Sequence, residues 1–297
     1  MDYFSICDGI GAAHSALLPL GFRCVGVSEI NKFCNRLIYE KYGFKNYGDF
    51  TKWKDWGQLN VDCIVGSTPC TAFSFMGRRR GTQDPAGALT PVFVRFVCRH
   101  KPRWFIWENV PGVLSISRGR LFEWMLDQFS KCGYNCAWRV LDAQYFGVAA
   151  RRRRVFLVGC ADNGYSAVKV LFDGKSIPIP TPQSEGAGKN NSRTATVDFR
   201  NDRYRNNGKI VGTLIASCGG GAERIGSIII DNNRPRWLTP VERERLMGFE
   251  DNYTFSFSDS QRHRMIGNSI AIPVLRWIGQ RILQQDREAT LGRLRAG

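Results

Sequence analysis

The chain has 297 residues, 43% of them hydrophobic, and a formal net charge of +16. That apolar fraction excludes an intrinsically disordered protein, and no apolar run reaches the roughly 20 residues that a membrane-spanning helix needs. The length allows one large domain and a smaller one. A positive potential attracts polyanions, so nucleic acid is the expected partner. The arginines also cluster in two runs, Arg78-Arg79-Arg80 and Arg151-Arg152-Arg153-Arg154.

The ten cysteines are compatible with disulfides, but the N-terminal sequence lacks the basic stretch and long apolar run of a secretion signal. We therefore expect a soluble protein in a reducing, cytoplasmic compartment. The histidines, His14, His100 and His263, are far apart in the sequence, and no cysteine pair has zinc spacing. The sequence thus predicts no metal site.

The first predicted elements form a strand, loop and helix unit. A strand over Tyr3 to Cys7 leads into the glycine turn Asp8-Gly9-Ile10-Gly11, and a helix follows from Ala12 to Leu18. The second predicted strand, Arg23 to Ser28, ends at Glu29. Such alternation of strands and helices is typical of an α/β fold.

Capping signals and further apolar runs extend this alternation. Asn31 is the expected N-cap of a helix that Gly43 ends. Buried strands are predicted at Val61 to Val65, Trp104 to Trp107 and Val155 to Val158. The predicted fold class is therefore α/β, with a mostly parallel sheet covered by helices.

The composition changes between about Leu171 and Arg236, where Gly, Asn, Ser, Arg and Pro dominate and apolar runs are short. This stretch predicts a separate, loop-rich lobe. A helix start returns at Thr239-Pro240, and a last amphipathic helix is predicted from Pro273 to Leu283. We expect a first domain over 1–165, a smaller domain over 166–258, and a segment over 259–297 that returns to the first domain.

Gly9 and Gly11 allow close approach of a ligand to the backbone, and Glu29 ends the next strand about 20 residues later. A carboxylate at that place typically receives the hydroxyls of a ribose, so an adenosine cofactor is indicated. His14 occupies the position of the third glycine of a dinucleotide site, which counts against a nicotinamide enzyme. Ordinary turn glycines remain an equal alternative on these residues alone.

Two further strand ends carry reactive side chains. Cys70 follows Pro69 on a loop of small residues, where nearby arginines favour a thiolate, although most cysteines are inert and buried. Glu108 ends another apolar strand and would face the same crevice as a candidate acid. A charged residue at a strand end is also commonly just the solvated start of a loop.

The ordered motifs resemble the DNA (cytosine-5) methyltransferase family, of the compact bacterial or phage type, over nearly the whole chain. The matching runs are Cys7-Asp8-Gly9-Ile10-Gly11, Glu29, Gly48-Asp49-Phe50, Pro69-Cys70, Glu108-Asn109-Val110, Arg152-x-Arg154, Leu238-Thr239-Pro240, Met247-Gly248-Phe249 and Gly267-Asn268-Ser269. The resemblance implies a Rossmann-like, S-adenosylmethionine-dependent methyltransferase sheet with a smaller target-recognition domain.

The resemblance also implies a mechanism. A cytosine in a specific sequence of double-stranded DNA is flipped out, and Cys70 adds to its C6 so that C5 accepts the methyl group. Glu108 would hold or protonate N3. Arg152 and Arg154 would contact the cytosine carbonyl and position Glu108 and Cys70.

The resemblance assigns binding residues as well. The cofactor pocket would comprise Cys7, Asp8, Gly9, Ile10 and Gly11 around the methionine part, Glu29 at the ribose, Asp49 and Phe50 at the adenine, and Pro69, Asn268 and Ser269. DNA contacts would come from Arg78, Arg79 and Arg80 in a closing loop and from Gly219, Gly220 and Gly221 in the recognition lobe. An ordinary surface loop and a plain turn are the alternatives for these two stretches.

Some positions depart from the family pattern, but none of them removes a reacting group. Thr71 replaces a glutamine, Ala12 a glycine, Asn31 an aspartate and Ala150 a glutamine. A tRNA cytosine-5 methyltransferase, a nicotinamide-dependent oxidoreductase and a catalytically silent DNA-binding protein are the rival functions. We expect a monomer on DNA in a bacterial or phage-infected cell, with any cognate restriction endonuclease acting separately.

Overall fold

The computed structural model describes residues 1–69, 88–162, 164–172, 195–200, 203–208, 210–214, 227–231 and 234–296. The chain divides into two compact units. Unit one comprises Met1–Leu141, Arg154–Asp173 and Leu275–Gly297, and unit two comprises Asp142–Arg153 and Gly174–Val274. Cys70, the arginines Arg78, Arg79 and Arg80, and the glycines Gly219, Gly220 and Gly221 lie outside the described residues.

Unit one is built on a six-stranded sheet in the order β2-β1-β3-β4-β6-β5. Its strands are β1 Asp2–Ile6, β2 Arg23–Ser28, β3 Cys63–Gly66, β4 Trp104–Asn109, β5 Asn135–Asp142 and β6 Arg153–Cys160. The β1–β2, β1–β3 and β3–β4 pairs are parallel, whereas β4 and β6 are antiparallel. The mostly parallel sheet predicted from the apolar runs is confirmed, and β5 is an additional strand.

The described helices are α1 Ala12–Leu17, α2 Lys32–Tyr42, α3 Leu89–His100, α4 Arg120–Lys131, α5 Ser166–Phe172, α6 Pro240–Met247, α7 Asp259–Asn268 and α8 Ile272–Ala296. The Asn31 side chain accepts hydrogen bonds from two amides at the start of α2, and Gly43 ends this helix in a left-handed conformation. Both helix ends lie where the capping residues predict them. None of the described helices has the length and apolarity needed to cross a bilayer.

Aromatic side chains dominate the core of unit one. Phe105 of β4 stacks on Phe129 of α4 with ring centroids 4.3 Å apart. A Cβ atom at Gly159 of β6 would lie 2.0 Å from the Phe105 ring, so this position requires glycine. Tight packing of this kind fixes the strands, and with them the loops that follow them.

Unit two contains a four-stranded sheet in the order β10-β9-β7-β8. The strands are β7 Ala195–Arg200, β8 Arg203–Gly208, β9 Ser227–Asp231 and β10 Arg234–Trp237, and the described pairs are antiparallel. The stretch predicted as loop-rich therefore includes regular strands. Helix α6 begins with a capping box in which Thr239 and Glu242 bond each other's main chain, as the Thr239-Pro240 signal predicts a helix start there.

Cys98 of α3 and Cys132 at the end of α4 form a disulfide bond, with their Cα atoms 5.6 Å apart. The expectation of a reducing compartment did not predict this pair. Helices α3 and α4 pack side by side, which brings together two cysteines separated by 34 residues. The sequence spacing alone carries no signal for such a contact.

Candidate active site

The loop after β1 has an open backbone. Cys7, Gly9 and Gly11 have φ angles of 51°, 60° and 79°, in the left-handed region. No atom lies within 4 Å of where a Cβ of Gly9 would be. The amide of Asp8 donates to the carbonyl of Ser28 (3.2 Å), which ties the loop to the end of β2. A ligand can therefore approach the main chain at the carboxyl ends of two parallel strands.

Glu29 lies beside this loop and is held by main-chain amides. Its Oε2 accepts from the amide of Gly9 and its Oε1 from that of Asn31, each at 2.7 Å. Burial raises the pKa of Glu29, while the hydrogen bonds from Asn31 and Gly9 oppose that rise. Each carboxylate oxygen has a second lone pair, so both can still accept hydroxyl groups. Ile30, which the sequence analysis did not single out, is 76% exposed directly after Glu29.

The carboxylate of Asp8 points into the core instead of towards a ligand. His14 Nε2 lies 2.8 Å from Asp8 Oδ2, the Ser5 hydroxyl donates to Oδ1, and Tyr3 Oη lies 2.6 Å from His14 Nδ1. The side chains of Asp8 and His14 are fully buried. The predicted ligand contact of Asp8 is thus limited to its main chain, because both carboxylate oxygens already have partners.

His14 should make stability pH-dependent. Burial lowers the pKa of His14, but the charge of Asp8 and the hydrogen bond to it outweigh burial and raise the pKa to about 9. Because this value exceeds the unfolded value of about 6.5, the stabilisation is full below pH ~6.5 and is lost as the pH rises through about 9. We expect His14→Gln to lower the free energy of unfolding by about 3 kcal/mol at pH 6, since a buried pair loses one partner.

Urea unfolding at pH 6 and pH 9.5 measures this effect. His263→Gln is the matched control, because His263 is only half-buried and burial lowers its pKa. The assignment fails if the His14 variant keeps the wild-type difference in stability between the two pH values.

The turn at Asp49 and Phe50 lies beyond the outer edge of β2. Asp49 Oδ1 accepts from the amide and hydroxyl of Thr51, at 2.9 and 2.8 Å, and these bonds lower the pKa of Asp49. Phe50 is 3% exposed and its ring lies 5.3 Å from that of Phe96. The Phe50 ring therefore belongs to the core, which leaves mainly its main chain for contact with a base.

Glu108 is held between two neighbouring strands. Ser67, directly after β3, donates its hydroxyl to Glu108 Oε2 at 2.8 Å, and Arg154 Nε of β6 lies 3.1 Å from Oε1. The Glu108 and Arg154 side chains are 6% and 13% exposed. Strand β4 lies between β3 and β6, so the sheet order brings the three residues together. Sequence reasoning missed Ser67, since a serine in a loop carries no specific signal.

A buried network fixes the chain just before Pro69. Asn109 Nδ2 donates to the Thr68 carbonyl at 3.1 Å, and Trp107 Nε1 donates to the Thr68 hydroxyl at 3.1 Å. Thr90 of α3 lies 3.2 Å from the same hydroxyl. Pro69 is therefore anchored beyond the C-terminal end of β3, directly before Cys70 in the sequence.

Arg152 lies in unit two and is 3% exposed. Its guanidinium donates to the carbonyls of Gly267 (3.3 Å), Ser269 and, weakly, Leu214 (3.5 Å). Nη1 and Nη2 of Arg152 thus bind main-chain carbonyls, and the cytosine contact that the resemblance implies for Arg152 stays a prediction. Asn268 is exposed at the end of α7 and Ser269 is buried after it, so their role at the cofactor stays a prediction.

Known proteins resemble the chain over most of its length. The sequence matches the family described as C-5 cytosine-specific DNA methylase over residues 1–191 and 172–284. The chain belongs to this family. The methylase is 28% identical to type II methyltransferase M.DsaV of Dactylococcopsis salina, over 95% of its own length and 86% of that protein. It is 26% identical to M.HhaI of Haemophilus parahaemolyticus, over 95% and 94% of the two chains.

Solved structures show the same fold. The methylase matches the crystal structure of S. pombe Dnmt2 methyltransferase with a TM-score of 0.74 at 19% identity, over 96% of its own length and 98% of that chain. The predicted family, the Rossmann-like fold and the assignment as a DNA cytosine-5 methyltransferase are thereby confirmed. The nicotinamide alternative is excluded.

Proposed function

We propose that this methylase uses S-adenosylmethionine to methylate C5 of a cytosine within a specific sequence of double-stranded DNA, with Cys70 as the nucleophile. The observation that carries the proposal is the placement of Glu108. Its carboxyl group is fixed by Ser67 and Arg154 near the C-terminal ends of β3 and β4, and Pro69 and Cys70 follow β3 in the sequence. Addition to a cytosine ring requires a nucleophile and an acid, the roles proposed for Cys70 and Glu108.

The residues after β1 and β2 fit an adenosine cofactor. Gly9 leaves room at the main chain, Glu29 retains acceptor capacity for two ribose hydroxyls, and the exposed Ile30 offers an apolar surface to a flat base. The turn at Asp49 supplies a carboxylate for an exocyclic amine. S-adenosylmethionine, when bound, supplies an electrophilic methyl group on a sulfonium.

Glu29 should be required for cofactor binding. Glu29→Ala removes the proposed acceptors of two ribose hydroxyls, and hydrogen bonds to a charged group contribute about 1.5–3 kcal/mol each, so we expect an affinity for S-adenosylmethionine that is weaker by roughly 100-fold or more. Calorimetry measures the affinity for the cofactor, and a gel-shift assay measures the affinity for DNA. The affinity for DNA should stay within about twofold of wild type. Glu40→Ala, which breaks only an exposed pair with Arg36 on α2, is the control. An unchanged cofactor affinity would remove Glu29 from the ribose.

The proposed chemistry begins once the cytosine has left the base stack. The Cys70 thiolate forms a bond to C6, and the electron pair of the 5,6 double bond makes C5 nucleophilic. C5 takes the methyl group, the electron pair of the broken methyl–sulfur bond stays on the cofactor sulfur, and S-adenosylhomocysteine would be the second product. C5 then loses its proton to a base, and the bond between the Cys70 sulfur and C6 breaks to restore the double bond and the thiolate. Burial raises the thiol pKa of Cys7, Cys63 and Cys160, which keeps these cysteines protonated.

The second chemical role belongs to Glu108. Its carboxyl group would hold or protonate N3 of the ring and so stabilise the electron-rich intermediate. Arg154 can only donate, so it keeps Oε1 as an acceptor, whereas the Ser67 hydroxyl can donate to Oε2 or accept from it. The Ser67 contact therefore persists in both protonation states of Glu108. Arg152 and Arg154 would contact the cytosine carbonyl, with Arg154 beside Glu108 and the Nη1 and Nη2 groups of Arg152 also bound to main-chain carbonyls.

Unit two carries the proposed target-recognition residues, among them Gly219, Gly220 and Gly221. Arg78, Arg79 and Arg80 would contact phosphates, which agrees with the net charge of +16. The type II relatives favour a restriction and modification setting, with a cognate endonuclease acting separately. We propose a monomer in the cytoplasm of a bacterial or phage-infected cell.

The decisive experiment incubates the purified protein with unmethylated genomic DNA and S-adenosylmethionine and then maps 5-methylcytosine by sequencing. We expect modified cytosines in one recurring word. An unmodified DNA product, with cofactor binding verified by calorimetry, would contradict the proposal and direct the search to an RNA substrate or a silent DNA-binding protein.

A further inference from the structure

The segment around Asn46 lengthens the sheet of unit one beyond its edge strand β2. The amide of Val27 donates to the carbonyl of Lys45 at 3.0 Å, and the amide of Tyr47 donates to the carbonyl of Val27 at 2.8 Å. Val27 and Asn46 form a parallel bridge. Asn46 thus lies at a fixed register next to the end of β2, which Glu29 follows directly.

The Asn46 side chain joins two parts of the proposed adenosine site. Its Oδ1 accepts from the amides of Glu29 (3.0 Å) and Gly48 (2.9 Å), and its Nδ2 donates to the carbonyl of Glu29 (2.8 Å). Both main-chain polar groups of Glu29 are bound by this one amide. Gly48 precedes Asp49 directly, so the same side chain holds the two segments assigned to the ribose and the adenine.

We propose that Asn46 is a positioning residue for the cofactor, which sets the spacing between the ribose carboxylate of Glu29 and the adenine turn at Asp49. Only a side chain with both an acceptor and a donor at this reach can make the three bonds. A further bond, from the Ser28 hydroxyl to the Gly48 carbonyl at 2.7 Å, supports the same spacing. The inference rests on the proposed use of S-adenosylmethionine.

Asn46→Ala tests this role through steady-state kinetics on the full-length enzyme. Because the Asn46 side chain bonds to Glu29 and Gly48 beyond β2, whereas Glu108 ends β4, we expect KM for S-adenosylmethionine to rise about tenfold or more, while kcat at saturating cofactor and KM for DNA stay within about twofold. Adenosine alone should lose affinity by a similar factor in calorimetry, because the disturbed contacts belong to the nucleoside. A merely structural role would lower the amount of active enzyme and kcat without this selective effect on KM.

Two further variants make the test specific. Asn46→Asp is isosteric, keeps an acceptor for the two amides and loses the donor to the Glu29 carbonyl, so its KM should lie between those of wild type and Asn46→Ala. If the alanine variant does not fold, the aspartate variant decides the question. Asn135→Ala is the control, because Asn135 donates in the same way to the Asp162 carbonyl from β5, at the other edge of the sheet.

The results separate this inference from the function on which it rests. A cofactor KM within twofold of wild type in Asn46→Ala, or an equal change in Asn135→Ala, would overturn the role of Asn46 and leave the proposed function intact. A wild-type protein that binds no S-adenosylmethionine would refute the proposed function, and the role of Asn46 with it.

Discussion

Replacing Cys70 by alanine should abolish methyl transfer, lowering kcat by roughly ten-thousand-fold or more, because C5 of cytosine is a poor nucleophile until a thiolate adds to C6. Affinity for S-adenosylmethionine and DNA should stay within about threefold of wild type, since only the reacting atom is removed. Transfer of a radioactive methyl group to DNA measures turnover, and calorimetry and gel-shift assays measure the two affinities.

A covalent trap makes the same prediction visible without turnover. A cytosine with fluorine at C5 has no proton to release after methyl transfer, so the bond between Cys70 and C6 should persist in denaturing gels. Wild type and Cys136→Ala should form this complex, because burial raises the pKa of the Cys136 thiol to about 12 and makes it a matched unreactive cysteine. A denaturation-resistant complex in Cys70→Ala would contradict the assignment.

Local signals in the sequence were sufficient for much of the fold. The strand predicted over Arg23 to Ser28 has those limits in the structure. The run predicted from Trp104 to Trp107 forms most of β4, whose residues are all buried. Asn31 and Gly43 delimit α2 because capping depends on residues within one turn of the helix end. Strand β5 was missed because it is only half-buried and its burial does not alternate regularly.

The candidate site could be predicted only where a single residue carries the signal. Glu29 and Glu108 end apolar strands, and that position is readable from the sequence. Asn46 binds the main chain of Glu29, and Ser67 binds the carboxylate of Glu108. Both partners come from other segments, and only sheet order and register bring them into contact. The sequence also could not show that Asp8 faces His14 in the core, because the direction of a loop side chain depends on how the loop packs.

Glu108→Gln should retain cofactor and DNA binding and lose catalysis. The substitution keeps the shape of the side chain and removes the group that holds or delivers the proton at N3, so we expect kcat to fall by about 10²–10⁴-fold. KM for S-adenosylmethionine should be nearly unchanged, since Glu108 lies at the end of β4 and the proposed adenosine contacts follow β1 and β2. Single-turnover methyl transfer at saturating cofactor and DNA measures the chemical step directly.

A second buried pair separates catalysis from stability in this experiment. Arg262 Nη2 lies 3.1 Å from Glu244 Oε1 in unit two, the same separation that Arg154 Nε has from Glu108 Oε1. Both substitutions, Glu108→Gln and Glu244→Gln, remove the charge of a buried carboxylate that faces an arginine, so they should lower thermal stability by similar amounts. Only Glu108→Gln should lose methyl transfer. An equal loss of activity in both variants would show that Glu108 has only a structural role. The loss of activity would then result from lower stability and not from the missing proton transfer at N3.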